Sequence, residues 1–471
     1  MRAKIYRILV CVVLVAVLCL QSVYDPENTS GRLFDDTVTL NVWYTDEALT
    51  DYLNSAALYF QENTDTAVRV VPKLVSGLEY LEQINDSRLS EDNADVYIVS
   101  NDALGKAYLA GLASPIDDKA SFISEENYPK AAIDAVTYQG KIVGCPLYYE
   151  TSVLLCNETY LAQMAESAIQ AEADAAEGEA AMEAVEGATD EELEAMAGAE
   201  TDTEEVVDAA AVSERKESMI PVNFEEILNF ADEYDAPENV ESILEWDVTD
   251  IFFNYFFVGD SINVGGACGD DKNAVDIYNP QSVEALKVYQ SLNQFFSIDA
   301  DTSSYESVLS DFMEGKTIFT IATTDAIGKI EEAREAGNFQ YDYTVTTLPD
   351  INDSIQTRSM SVTYAAAING YSEHKELANS FIMYLTGQLD ESFYYKTGKI
   401  PALSGISYSD HNVAETLTEY AKSVPVPKLL ETSNFWVSLE IAFTDIWNGA
   451  DVDTVLQELS GQINEQLQAE Q

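Results

Sequence analysis

The sequence predicts an α/β protein, a mainly parallel sheet with helices on both faces. Three observations lead there. Short runs rich in β-branched and aromatic residues alternate with longer runs whose apolar residues recur every three to four positions. That alternation fills residues 37–112, and globular patterning resumes after residue 220. The chain's 471 residues give it the length of two or three domain-sized units, and 46% hydrophobic residues supply their cores.

The elements follow in order. Residues 37–44 (TVTLNVWY) alternate and read as a strand. Residues 48–62 place Leu49, Leu53, Ala56, Ala57 and Phe60 on one helical face. Residues 68–71 and 95–99 (DVYIV) read as further strands, with helices over 78–89 and 103–112. Later, 224–234 and 280–296 read as helices, and 312–323 sets a Gly-Lys turn before the strand TIFTIA. Residues 373–385 carry Leu377, Ala378, Phe381 and Leu385 on one helix face. Val452, Val455, Leu456, Leu459, Ile463 and Leu467 form the apolar stripe of a terminal helix. In parallel sheets ligands bind beyond the carboxyl ends of strands, so residues 44–47 and 100–102 are candidate site segments.

At the N-terminus, Arg2, Lys4 and Arg7 precede an apolar run over residues 8–20, the pattern of a secretory signal. The run is short beside the roughly 20 apolar residues of a membrane span. Cys19 follows Val15, Ala16, Val17 and Leu18, which resembles the bacterial lipoprotein box except that Leu18 stands where a small residue is the rule. No A-x-A cleavage site is evident, so lipidation, cleavage and retention as an anchor all stay open. Each places the rest of the chain outside the cytoplasm. Residues 1–24 are therefore expected to be a signal or anchor segment and 25–36, with Pro26 and Gly31, a tether.

Charge excludes whole classes of partner. Lys plus Arg number 24 against 83 Asp plus Glu, a net charge of −59. Nucleic acid and anionic lipid headgroups both need basic surface and are not expected partners. His374 and His411 are the only histidines, which leaves little for His-rich metal sites or a Ser–His pair. Beyond the N-terminal run the cysteines are Cys145, Cys156 and Cys268, an odd number with no C-x-x-C spacing. Cys145 and Cys156 are expected to be unbridged. Gly265, Gly266 and Gly269 read as a turn, because no helix opens directly after them as a phosphate cradle requires. Asp270, Asp271 and Asp276, like Asp299 and Asp301, fail the EF-hand spacing, so no metal or cofactor is expected.

Residues 163–218 differ in kind. Ala and Glu dominate, aromatic residues are almost absent, and dense like charge leaves little to bury. A solvated insertion, partly helical or disordered, is expected. A functional acidic loop for cations or a basic partner is the other reading.

Several motifs recur in one order. They are YQGKIVGCPLYYETSVLLCN (138–157), YNPQSVEALKVYQSL (278–292), DFMEGKTIFTIATT (311–324), SEHKELANSFIMYLT (372–386) and TGKIPA (397–402). Together they resemble the extracellular solute-binding proteins of ABC importers, in the group of the maltose-binding protein, over most of residues 37–468 outside the acidic insertion. The resemblance implies a two-lobed periplasmic-binding-protein type II architecture joined by crossover hinges. One lobe would comprise 37–148 plus 355–400, the other 152–350 plus 405–471 with the insertion on its surface. Ligand would sit between lobes that close by a hinge motion, and the closed face would dock on a membrane permease.

The resemblance also implies site residues. Trp43 and Tyr44 end the first strand, and Asp46 and Glu47 follow it. Asp102 follows the third strand. Glu150 falls on the ligand-facing glutamate of the first crossover, with Tyr148 and Tyr149 beside it. Trp436, next to Asn434 and Phe435, falls on an aromatic ligand contact, and Tyr364 and Phe435 complete the candidates. Aromatic faces and planar carboxylates suit the C–H faces and hydroxyls of a sugar. Each has a structural alternative: Trp43 as core, and Asp46, Glu47, Asp102 and Asp325 as helix caps. Asp325 stands where the family often has an aromatic residue. The departure argues against a maltodextrin and opens the alternative of a cationic solute such as a polyamine. The expected function is thus non-enzymatic binding of a sugar or oligosaccharide by a monomer. Because carboxylates are abundant, an exported glycosidase is the other alternative.

Overall fold

The computed structural model describes residues 37–90, 92–186, 208–296, 298–300, 302–429 and 435–469. The expected signal or anchor, Cys19 and the tether lie outside them, as do Asp301 and Asn434. Among the described residues no helix is long and apolar enough to cross a membrane.

The strands that position the site are β1 (Val38–Tyr44), β2 (Val68–Leu74), β3 (Val96–Ser100), β4 (Cys145–Asn157), β5 (Ser242–Glu245), β6 (Thr317–Thr323), β7 (Tyr343–Thr346) and β8 (Met360–Asn369). They run in the order β2-β1-β3-β8-β4-β6-β5. β1 is parallel to β2 and β3, and β6 is parallel to β5. The centre is antiparallel: β8 runs against β3 and β4, and β4 runs against β6 and β7. The expectation of a mainly parallel sheet is therefore corrected to a mixed α/β sheet. β4 and β8 read poorly as strands because both faces are covered, which erases the period-two signal. In the 13 residues of β4, Glu150 alone is not buried.

β4 changes partners at its middle. Thr151 pairs with Ser361 on β8, and Ser152 pairs with Thr323 on β6. The Thr151 hydroxyl donates to the Met360 carbonyl at 2.9 Å and binds Ser359, which satisfies the polar atoms at this buried junction. One apolar cluster runs under β1–β3 and along β4, from Leu40, Val42, Val96, Tyr97 and Leu147 past the junction to Val153, Leu155 and Ile327. A second lies beyond the junction, around Leu154, Trp246, Phe257, Tyr289 and Trp447. Each fully buried side chain of this size contributes about 1.5–3 kcal/mol. Helix His411–Lys422 touches both β4 and β7 and adds Val413 and Tyr420 to the first cluster.

The predicted helices form with end shifts of a few residues, as Thr50–Asn63, Tyr80–Ser87, Asn101–Leu109, Phe224–Glu233, Pro280–Phe296, Lys375–Gly387 and Val452–Ala469. Cys145 and Cys156 are free, as expected. They sit at opposite ends of β4, about 35 Å apart at the usual strand rise, far beyond disulfide reach. The Gly-rich segment is a turn between the paired strands Asn263–Val264 and Val275–Asp276. Gly269 has φ +64°, and a Cβ there would stand 2.7 Å from the Pro427 backbone.

Helix Glu158–Glu186 grows directly out of β4, and helix Ala209–Glu217 packs beside it. Lys216 pairs with Glu158 at 2.7 Å and Arg215 with Glu172 at 3.2 Å. Tyr160, Leu161 and Ala165 are buried, so the first turns belong to the packed body and the acidic face starts beyond them. Residues 187–207 of the insertion lie outside the described set.

Candidate functional site

A cleft of ≈ 500 Å³ opens at the carboxyl ends of β1 and β3. Thr45, Asp102, Tyr364, Lys428 and Trp436 are among the residues that line it. Asn101 joins three segments at this cleft. Its Oδ1 accepts from the Thr363 amide at 2.9 Å and its Nδ2 donates to the Val426 carbonyl at 2.8 Å. One fully buried amide thus ties the end of β3 to β8 and to the segment that carries Lys428.

Lys428 is a buried anchor. Its ammonium donates to the Asp134 and Ala135 carbonyls, both at 3.0 Å, near the C-terminus of helix Lys130–Val136. Cations are stabilised by the unpaired carbonyls there. Burial pulls its pKa down to about 8, against the opposing pull of Cys268, Asp270, Asp134 and Asp102. Trp436 sits in the first turn of helix Phe435–Trp447, half-buried, edge-on to Tyr255 at 5.7 Å.

Tyr364 is the meeting point of the carboxylates. Burial raises its phenol pKa most, and Glu150, Asp102 and Asp46 push it further in the same direction. Its ring lies on Tyr148, centroids 4.5 Å apart. Over the other face of this group stands Lys399, 3.0 Å from Asp46 Oδ2, 3.3 Å from Glu150 Oε1 and 5.6 Å from the Tyr148 ring centroid. Burial alone would lower the Lys399 pKa. The two carboxylates outweigh it and hold the ammonium above its ordinary value. All three side chains stay partly open to solvent, at 22%, 30% and 32% exposure for Lys399, Asp46 and Glu150.

The structure therefore puts Asp102, Tyr364 and Trp436 on the cleft wall, and Asp46 and Glu150 beside Tyr364 on Lys399. Asp46 also caps the turn after β1, accepting from the Ala48 amide at 3.0 Å. Asp102 lies in the first turn of helix Asn101–Leu109, whose N-cap is Ser100, so its exposed carboxylate is not the cap. Glu47 points to solvent. Trp43 and Tyr44 are core residues, 5% and 2% exposed, with the Tyr44 hydroxyl donating to Thr50. Tyr149 faces away from the cleft: it stacks on Tyr420 at 3.9 Å and bonds Thr416, because neighbours on a strand point to opposite faces. Phe435 is fully buried.

Asp325 begins helix Ala326–Glu335 but makes no side-chain cap bond. Instead it accepts from Tyr305 at 2.7 Å, pairs with Lys329 at 2.7 Å and binds the Thr323 hydroxyl. Burial would raise its pKa, and bonds from Lys329, Thr323 and Tyr305 outweigh that and lower it. Its charge is thus answered by Lys329 and by two hydroxyls. Sequence reasoning missed Lys399 and Lys428. For Lys399 a signal existed: Gly398, at φ +66°, ends helix Glu391–Thr397, and Ile400 pairs with Tyr149 on β4. Among the described residues no group of three or more His, Cys, Asp or Glu is arranged for a metal ion.

Residues 56–416 match the sequence model of the bacterial extracellular solute-binding proteins. The chain is 20% identical over 435 residues to the maltodextrin-binding protein MdxE of Bacillus subtilis (strain 168), covering 90% of this chain and 88% of that one. Among solved structures it resembles a cyclo/maltodextrin-binding protein complexed with maltotetraose, with TM-score 0.69 and 19% identity over 93% of this chain and 99% of the other. An extracellular solute-binding protein from Staphylococcus aureus in complex with maltose matches with TM-score 0.69 and 18% identity over the same shares, 93% and 99%.

Proposed function

The chain belongs to the bacterial extracellular solute-binding proteins, and we propose that it is the binding component of an ABC importer for a sugar or oligosaccharide. The observation that carries this reading is the ≈ 500 Å³ cleft, lined by the Tyr364 and Trp436 rings and the Asp102 carboxylate, with Asp46 and Glu150 near Tyr364. Aromatic faces cover the C–H faces of a pyranose, and carboxylates accept from its hydroxyls. Similarity to a maltodextrin-binding relative makes maltodextrins the first solutes to test.

In this reading residues 37–148 plus 355–400 form one lobe and 152–350 plus 405–471 the other. The hinge lies where β4 exchanges β8 for β6, beside the segment held by Asn101. Sugar that touches both lobes stabilises the closed state, which shifts the population toward it. The closed face then meets a permease. The N-terminal segment, by retention or by a lipid on Cys19, keeps the protein at the outer membrane surface.

Calorimetry with a maltodextrin series and spermidine tests the reading. Saturable binding of a saccharide that is recovered unaltered is expected. Binding of spermidine alone, or release of shorter saccharides on incubation, would overturn it.

A further inference from the structure

One cation stands beside the cleft, over the ring of Tyr148, which stacks on the cleft-lining Tyr364. Lys399 lies between the carboxylates of Asp46 and Glu150, which come from opposite elements, the loop after β1 and the middle of β4. Asp46 already accepts from the Ala48 amide through Oδ1 and presents Oδ2 to Lys399. Glu150 presents Oε1 to Lys399, and its exposure leaves Oε2 available to solvent. Without the ammonium, the Asp46 and Glu150 carboxylates would stand close together uncompensated, with Asp102 adding a third charge near Tyr364.

We propose that Lys399 sets the specificity of the cleft, neutralising Asp46 and Glu150 so that they act as hydrogen-bond acceptors for an uncharged polyhydroxyl solute and refuse a cationic one. The proposal rests on the sugar-binding reading above. Two physical effects support it. An ammonium held by two carboxylates fixes their planes, so that acceptor directions are set before a solute arrives. It also occupies the position that a solute ammonium would otherwise take, and like charges at that range repel. Lys399 is therefore a positioning residue, acting on solute through the two carboxylates. Its own position is set by the left-handed Gly398 before it and by the pairing of Ile400 and Pro401 with β4 after it.

The test uses the full chain and the variants Lys399→Met and Lys399→Arg, titrated with maltotetraose and with spermidine, each checked for an unchanged melting profile. Wild type is expected to bind maltotetraose and not spermidine. Lys399→Met is expected to lose at least tenfold in maltotetraose affinity and to gain saturable, salt-sensitive spermidine binding, while Lys399→Arg keeps the wild-type preference. A Lys399→Met protein that binds maltotetraose like wild type and still ignores spermidine overturns the role of Lys399 and leaves the sugar reading standing. A wild type that takes spermidine and no saccharide overturns both. If Lys399→Met melts early, Lys399→Arg decides: loss of preference with the charge retained would refute a role based on charge.

Discussion

Tyr148 lies flat on Tyr364, their planes 10° from parallel, and only Tyr364 borders the cleft. Tyr148 is 1% exposed and forms the floor on which Tyr364 rests. Removing Tyr364 should cost binding, and removing Tyr148 should cost folding. Tyr364→Ala is expected to weaken sugar binding about tenfold, the value of a lost aromatic face of about 1.4 kcal/mol. Tyr148→Ala should lower stability by about 3–5 kcal/mol through the cavity it leaves. Denaturant melts beside calorimetry separate the two. Equal losses of stability in both would refute the division.

Trp436 lines the cleft, and Glu150 stands near Tyr364, which also lines it. Glu150→Gln keeps the shape of β4 and removes the charge, and Trp436→Ala removes a half-buried ring. Each should weaken saccharide binding by about tenfold with the fold intact. Unchanged affinity in both variants would remove this cleft as the binding site.

The acidic insertion should be dispensable beyond its packed root. Excising residues 173–207 and closing the gap with a short Gly-Ser linker keeps Tyr160, Leu161, Ala165, Val212, the Asp208 cap and the Lys216–Glu158 pair. The melting temperature should stay within about 3 °C, because the packed contacts of the root are all kept. Saccharide affinity should be unaltered. Collapse of either quantity would show that the segment is part of the working body.

Lys428 gives a pH signature. Its folded pKa of about 8 lies below its ordinary 10.5 because burial penalises the charged form. Below about 8 both states carry the proton and the full cost of burying the ammonium is present. Between the two values the unfolded chain holds a proton that the folded chain has released, so this group's contribution to stability rises with pH. Relative to Lys428→Met, the wild type should gain about 2 kcal/mol between about pH 7 and about pH 9.5. Buried tyrosines such as Tyr97, held above 10.0, act in the opposite direction only past that value. Urea melts of both proteins across this range provide the check, and a constant difference would contradict the buried-ammonium account.

Local patterns determined much of this protein. The alternation in β1 and the apolar stripes of Thr50–Asn63 and Val452–Ala469 are written within single turns and strands, where side-chain direction follows from backbone period. The motif order pointed to the family, and the end of the third strand pointed to Asp102, which lines the cleft. Tertiary structure alone decided the rest. β4 and β8 are buried on both faces, so nothing in their composition announced that they run antiparallel through the centre. Tyr149 and Glu150 are adjacent and equally prominent in the sequence, yet pairing with β8 turns Tyr149 onto Tyr420 and leaves Glu150 open to Lys399. The meeting of Lys399 with Asp46, and of Lys428 with the helix at Ala135, joins residues hundreds of positions apart. Charge neutralisation and burial depend on what lies within a few ångströms in space, and the order of residues along a chain does not specify that until the chain has folded back on itself.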